Sequence, residues 1–216
     1  MTDEPSAGRS AFHAAVHPQK PLAVAILAAG ESRRMGTPKA LLDYRGKTFV
    51  QHLLDVTQHS RVGVRRVVLG AGAETIRQKL ELDAAMIVLN PDWPKGQLSS
   101  IHAAIRNLPT ESSDGIILCP VDNPILSGAL VAQLIEKFDS SGAPIVLPTF
   151  RGRRGHPAIF RADLFQELLD ASLDVGARQV VWAHAPDVLE VPTEEEGVIL
   201  NLNDPEMLRK VQEELS

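Results

Sequence analysis

A single cysteine, Cys119, leaves this chain no means of closing an intramolecular disulfide, which suits a reducing compartment. Its place within the apolar run 115–121 reads as that of a small buried side chain rather than a nucleophile. Basic excess is missing too: 22 lysines and arginines against 27 aspartates and glutamates give a net charge of −5. Broad affinity for nucleic acid or an anionic membrane needs a basic surface, so neither partner is expected. No apolar stretch approaches the roughly 18 to 20 residues that span a bilayer, and the first twenty residues lack the apolar segment of a secretory signal. A cytoplasmic protein is expected. Internal repeats and low-complexity tracts are absent.

The 216 residues suffice for one sizeable core. Residues 1–20, small and polar with His13 and His17 in no clear period, read as a flexible extension, and residues 21–216 as a single domain. Apolar runs predict strands over 22–27, 64–69, 86–89, 115–121, 145–149, 158–160 and 188–191. Helices are expected over 49–57, 73–80, 98–108, 128–139, 164–169 and 177–183, with another capped near Asp204-Pro205. This alternation predicts a mostly parallel sheet covered by helices.

The first strand opens into Leu27-Ala28-Ala29-Gly30-Glu31-Ser32-Arg33-Arg34-Met35-Gly36-Thr37-Pro38-Lys39. Small residues followed by three cations can bring backbone N–H groups and fixed positive charge to a polyphosphate. No Gly-Lys-Ser/Thr closes the loop and no Gly-x-Gly-x-x-Gly is present, so neither standard phosphate loop explains it. Each arginine alone also fits a solvated surface position.

Two further segments carry chemistry. Asp122-Asn123-Pro124 follows a strand, at the sheet edge where α/β folds place ligands, although an aspartate there also fits an Asx turn or a helix cap. Arg151-Gly152-Arg153-Arg154-Gly155-His156-Pro157 is strongly basic and suits a phosphorylated acceptor, or a solvated loop.

The opening loop resembles the signature of the MobA/MocA-like nucleotidyltransferases, which attach a nucleoside monophosphate to molybdopterin, and more broadly of sugar-phosphate nucleotidyltransferases. Gly155-His156-Pro157 and Asp174-Val175-Gly176-Ala177-Arg178 resemble segments of the molybdopterin branch, and point to cytidylyl transfer. The resemblance runs from about Leu22 to Leu208. It implies a Rossmann-like three-layer α/β/α fold and a reaction in which CTP, or another nucleoside triphosphate, gives its nucleotidyl group to molybdopterin or molybdenum cofactor.

On this resemblance Leu27, Ala28, Ala29 and Gly30 seat the nucleoside, with Ser99 and Ser100 of Gly96-Gln97-Leu98-Ser99-Ser100 approaching the nucleotide. Arg34 and Lys39 hold the triphosphate, and with Asp122 form the catalytic set. Asp122 ligates magnesium, helped by Asn203 of Asn201-Leu202-Asn203-Asp204-Pro205-Glu206. An amide oxygen brings no formal charge, so most of the anionic field would come from Asp122 and the triphosphate. Arg154, His156 and Arg178 face the acceptor, with Asp174 a candidate cap for the next helix. A molybdoenzyme or maturation partner is implied downstream. Two alternatives stay open: transfer to a sugar phosphate or phosphocholine, and an inactive nucleotide-binding regulator.

Overall fold

The computed structural model describes residues 19–109 and 113–214. The histidines His13 and His17 and nearly all of the expected extension lie outside the described residues. Strand β1 (Leu22–Ala28) is wholly buried, and its alternate side chains serve two cores. Leu22, Val24, Ile26 and Ala28 enter one, while Ala23, Ala25 and Leu27 enter the other. A strand covered on both faces has no polar side, which explains the unbroken apolar run.

The chain continues through the small hairpin β2 (Asp43–Tyr44) and β3 (Lys47–Thr48), then α1 (Phe49–Val56) and β4 (Val62–Leu69). Next come α2 (Ala73–Leu80), β5 (Ile87–Leu89), α3 (Gln97–Arg106), β6 (Gly115–Pro120), α4 (Gly128–Ser141) and β7 (Ile145–Phe150). The last part holds β8 (Arg153–Arg154), β9 (Ala158–Arg161), α5 (Phe165–Asp170), α6 (Arg178–Ala183), β10 (Val188–Pro192) and α7 (Pro205–Glu214). Helix α1 is fixed at its start by a capping box in which Thr48 Oγ1 accepts from the Gln51 amide while Gln51 Oε1 accepts from the Thr48 amide.

The main sheet runs β10-β7-β9-β6-β1-β4-β5, with β8 attached to β7. Strand β1 is parallel to both β4 and β6. Strand β9 runs antiparallel to its neighbours β6 and β7, the one departure from a parallel path between them. Residues of α1, α2 and α4 fill the first core; those of α3, α5 and α6 fill the second. The result is the expected three-layer α/β Rossmann-like arrangement. Cys119 is buried in the first core, and burial pushes its thiol pKa up to about 12, consistent with an inert packing residue. No helix among the described residues is long and apolar enough to cross a membrane.

Candidate active site

After β1 the chain must turn at the carboxyl edge of the sheet. Ser32 and Gly36, at φ 55° and 65°, adopt left-handed backbone and fold Arg33–Met35 into one 3-10 turn. The Lys39 amide closes the loop by donating to Ser32 Oγ at 3.0 Å. A Cβ at Gly30 would meet nothing within 4 Å, so the protein's own packing does not require glycine there.

This loop returns Lys39 to the sheet edge, where its Nζ donates to Asp122 Oδ2 at 3.3 Å and to Asn203 Oδ1 at 2.5 Å. Three distant motifs meet at one ammonium. Asp122 arrives because β6 lies beside β1 in parallel register, so both strand ends open at the same edge. It does not cap α4: Ser127 does, its Oγ accepting from the Leu130 amide at 3.0 Å.

Asn203 is delivered by a segment sewn to the Asp122-Asn123 and Gly155-His156 motifs. The Leu202 amide donates to the Asp122 carbonyl at 2.7 Å, Asn123 Nδ2 to the Leu200 carbonyl at 2.8 Å, and the His156 amide to the Val198 carbonyl at 2.9 Å. These approaches demand bare backbone. A Cβ would sit 2.5 Å from the Val198 oxygen at Gly155, and would collide with the Ile125 oxygen at Gly197. Asp204 is the expected cap of α7, its Oδ1 accepting from the Met207 amide at 2.9 Å.

Asp122 and Asn203 are the residues that would hold a divalent cation. No group of three His, Cys, Asp or Glu side chains converges among the described residues. Two hard oxygens already share a cation, the Lys39 ammonium, so the donor chemistry fits a hard divalent cation whose remaining ligands come from outside the protein.

Two cavities meet here, sharing Leu27 and Gln97. The first, about 210 Å3, is lined by Ala29, Gly30, Ser32, Lys39, Ser100 and Asp122, with Trp93 and Gly96 beside them. Ala28 departs from expectation: β-strand alternation turns its side chain into the core on the opposite face of the sheet. The two serines divide as well. Ser99 is buried and donates to the Gly96 carbonyl at 2.7 Å, so its hydroxyl is held within the protein. Ser100 reaches the cavity wall, and Asn90 Nδ2 donates to both serine oxygens, at 2.9 Å for Ser99 and 3.0 Å for Ser100.

Arg34 stands just outside, in a small adjoining pocket with Lys39 and Asn203. Its neighbour Arg33 is paired with Glu31 at 2.7 Å, whereas Arg34 has no ion pair among the described residues. That leaves Arg34 the guanidinium free to meet an anion.

The second cavity, about 400 Å3, brings Arg154, His156 and Arg178 together. It is less basic than the sequence suggests. Arg151 lies over the Phe150 ring at 5.0 Å, and neither it nor Arg153 lines the cavity. Arg154 Nε donates to Glu190 Oε1 at 2.7 Å, and Arg178 Nε to the Val175 carbonyl at 2.7 Å. Asp174 lines the cavity but does not cap α6, which has no side-chain cap; the Val175 and Gly176 amides close the preceding turn on the Ser172 carbonyl. Burial holds the His156 pKa below 6.5, against the opposing pull of the Asp122 charge, so the imidazole is neutral at pH 7. Its Nδ1 is closed from solvent and has no protein partner.

Sequence reasoning missed Gln97, Asn90, Asn123, Gly197 and both tryptophans of the cavities. Gln97 and Asn123 stood inside motifs already marked, next to Gly96 and Asp122. Asn90 and Gly197 had no local signal, because their roles arise only from contacts across the fold.

Residues 24–188 match the MobA-like NTP transferase domain family. Nicotine blue oxidoreductase of Paenarthrobacter nicotinovorans is 33% identical over 165 residues, covering 71% of this chain and 78% of that protein. The molybdenum cofactor guanylyltransferase of Shewanella sp. strain ANA-3 is 24% identical over 195 residues, 88% of this chain and 95% of its own. Among solved structures, Rv0371c of Mycobacterium tuberculosis superposes with a TM-score of 0.76 at 28% identity, covering 91% of this chain and 100% of that one. A complex of the same protein with manganese is also similar, with a TM-score of 0.68 at 26% identity over 89% and 98% of the two chains. With most of its length matched and its Gly30-to-Lys39 loop, Asp122 and Asn203 gathered at one sheet edge, the chain belongs to the MobA-like NTP transferase domain family.

Proposed function

We propose that the protein transfers CMP from CTP to the terminal phosphate of molybdopterin or molybdenum cofactor and releases pyrophosphate, with magnesium as its metal. The observation that carries this reading is the meeting of Lys39, Asp122 and Asn203 where the loop-lined cavity adjoins that of Arg154, His156 and Arg178. An oxygen of the acceptor phosphate attacks the α-phosphorus of CTP, and the bond to the bridging oxygen breaks with its electron pair leaving on pyrophosphate. Lys39 and the unpaired Arg34 offset the charge of the triphosphate and departing pyrophosphate. Neutral His156 orients the acceptor; the phosphate is already ionised, so no general base is needed. Asp122 and Asn203 would hold magnesium, which would supply stabilisation of charge on the α-phosphate oxygens.

Gly155-His156-Pro157 and the Asp174-to-Arg178 step both border the acceptor cavity, which supports the molybdopterin branch. The relative named a guanylyltransferase favours GTP, and the resemblance of these two steps favours CTP. Pyrophosphate release from CTP and from GTP, each with molybdopterin, a sugar phosphate and phosphocholine, tests the reading. Release requiring CTP and molybdopterin supports it; release with a sugar phosphate alone overturns the acceptor.

A second reading has one specific observation in its favour, the 33% identity to a protein named nicotine blue oxidoreductase. On that reading the cavity holds an aromatic compound that is reduced. Consumption of NADH or NADPH with an aromatic dye, and no pyrophosphate release with any acceptor, would select it.

A further inference from the structure

Four large hydrophobic side chains stand exposed among the described residues, and two of them, Trp182 at 61% and Leu173 at 42%, border the same cavity. Exposed apolar side chains gathered at a cavity mouth mark a surface that a ligand covers. The cavity floor is apolar as well, formed by Leu98, Ile101, Leu118 and Phe160. The cavity's polar lining is Gln97, Arg154, His156, Asp174 and Arg178. Gln97 lies toward the nucleotide side, and Arg178 lies one helical turn before Trp182 on α6, so a guanidinium and an indole share one helix face. Apolar walls together with a few polar groups are complementary to a fused heteroaromatic ring, whose faces are apolar and whose perimeter carries hydrogen-bonding atoms. At about 400 Å3 the cavity is within the range of small-ligand sites, roughly 300–1,000 Å3, and has room for a bicyclic ring and a short tail.

We propose that Trp182, flanked by Leu173, is the platform on which the planar heteroaromatic ring of the acceptor stacks, and thereby a specificity-determining residue of this cavity. The inference rests on the reading of this cavity as the acceptor site. It assigns discrimination to ring stacking rather than to phosphate capture, in keeping with the engagement of Arg154 by Glu190. Arg178 then serves the tail that leaves the ring edge.

Calorimetric titration with a pterin that carries no phosphate isolates the ring from the tail. Trp182→Leu is expected to weaken pterin binding about tenfold and Trp182→Phe to restore most of it, in line with the strength of aromatic stacking. CTP binding, followed by the emission of Trp93 in the other cavity, is expected to stay unchanged in both variants. Trp182 is too exposed for either change to disturb the core. Pterin affinity unaltered in Trp182→Leu, equal losses in both variants, or no pterin binding by the wild type would overturn the platform. Normal pterin binding without pyrophosphate release in the presence of CTP and molybdopterin would instead overturn the transfer reaction, so the two failures are distinct.

Discussion

Lys39 Nζ lies 2.5 Å from Asn203 Oδ1 although 164 residues separate them. The ammonium also faces Asp122, which makes it the junction of the loop, the β6 outlet and the segment before α7. A cation so placed is held by the protein's oxygens at the wall of the loop-lined cavity, where on the proposed function it meets the triphosphate. Lys39→Ala is expected to weaken CTP binding by about 1.5–3 kcal/mol, the range for a hydrogen bond to a charged group, and cytidine binding much less. Parallel titrations of the two ligands check this; equal losses would remove the phosphate role.

Asp122→Asn keeps the side-chain volume and removes the charge. Because Asp122 caps no helix, the thermal midpoint is expected to change little. Turnover is expected to fall by a factor equivalent to about 3 kcal/mol of transition-state stabilisation, read from kcat over a magnesium series. An unchanged maximum rate and metal dependence would contradict its place in the site.

Two glycines separate packing from ligand approach. A Cβ at Gly197 would collide with the Ile125 carbonyl, so Gly197→Ala is expected to destabilise the fold by about 1–3 kcal/mol, as overpacking does. Gly30→Ala meets open space and should leave the denaturation midpoint near the wild type while reducing nucleotide affinity. Denaturant curves and CTP titrations of both variants check the pair; the reverse pattern would mean that Gly30 is structural.

The main elements were legible in the sequence because their signals are local. Burial on both faces wrote β1 as an unbroken apolar run, and the spacing of Val50, Leu53 and Leu54 marked the inner face of α1. The Asp204-Pro205 cap was equally plain. Nothing local announced that β9 would run antiparallel, since strand direction is fixed by where the chain re-enters the sheet. The residues of the site were visible as motifs, but their partners were not. Glu190 sits 36 positions from Arg154, and Asn90 nine or ten from the serines it binds, so the partial neutralisation of the basic turn and the inward hold on Ser99 exist only in three dimensions.

The buried His156 predicts a pH dependence of stability. Its native pKa lies below 6.5, so as pH falls through 6.5 the unfolded chain binds a proton first and the unfolding free energy declines, levelling once the native pKa is passed. His156→Gln is expected to make this acid decline shallower. A residual slope should remain from His52, whose pKa is also lowered by burial. Denaturant midpoints across neutral to mildly acid pH provide the check, and identical slopes in both proteins would contradict it.

Arg154 is held by Glu190, so its guanidinium is only partly available to an acceptor. Arg154→Ala is expected to raise the acceptor KM several-fold with the CTP KM nearly constant, whereas Glu190→Gln should lower the acceptor KM by releasing the arginine. Separate titrations of donor and acceptor decide it. A selective rise in the CTP KM would move Arg154 to the nucleotide side.

The most direct measurement uses CTP labelled at its α-phosphorus, incubated with the protein, magnesium and molybdopterin. The predicted result is label covalently joined to molybdopterin in amounts equal to the pyrophosphate released, and absent with Asp122→Asn. Label that stays in CTP, or emerges as free CMP with no labelled pterin product, would contradict nucleotidyl transfer to this acceptor.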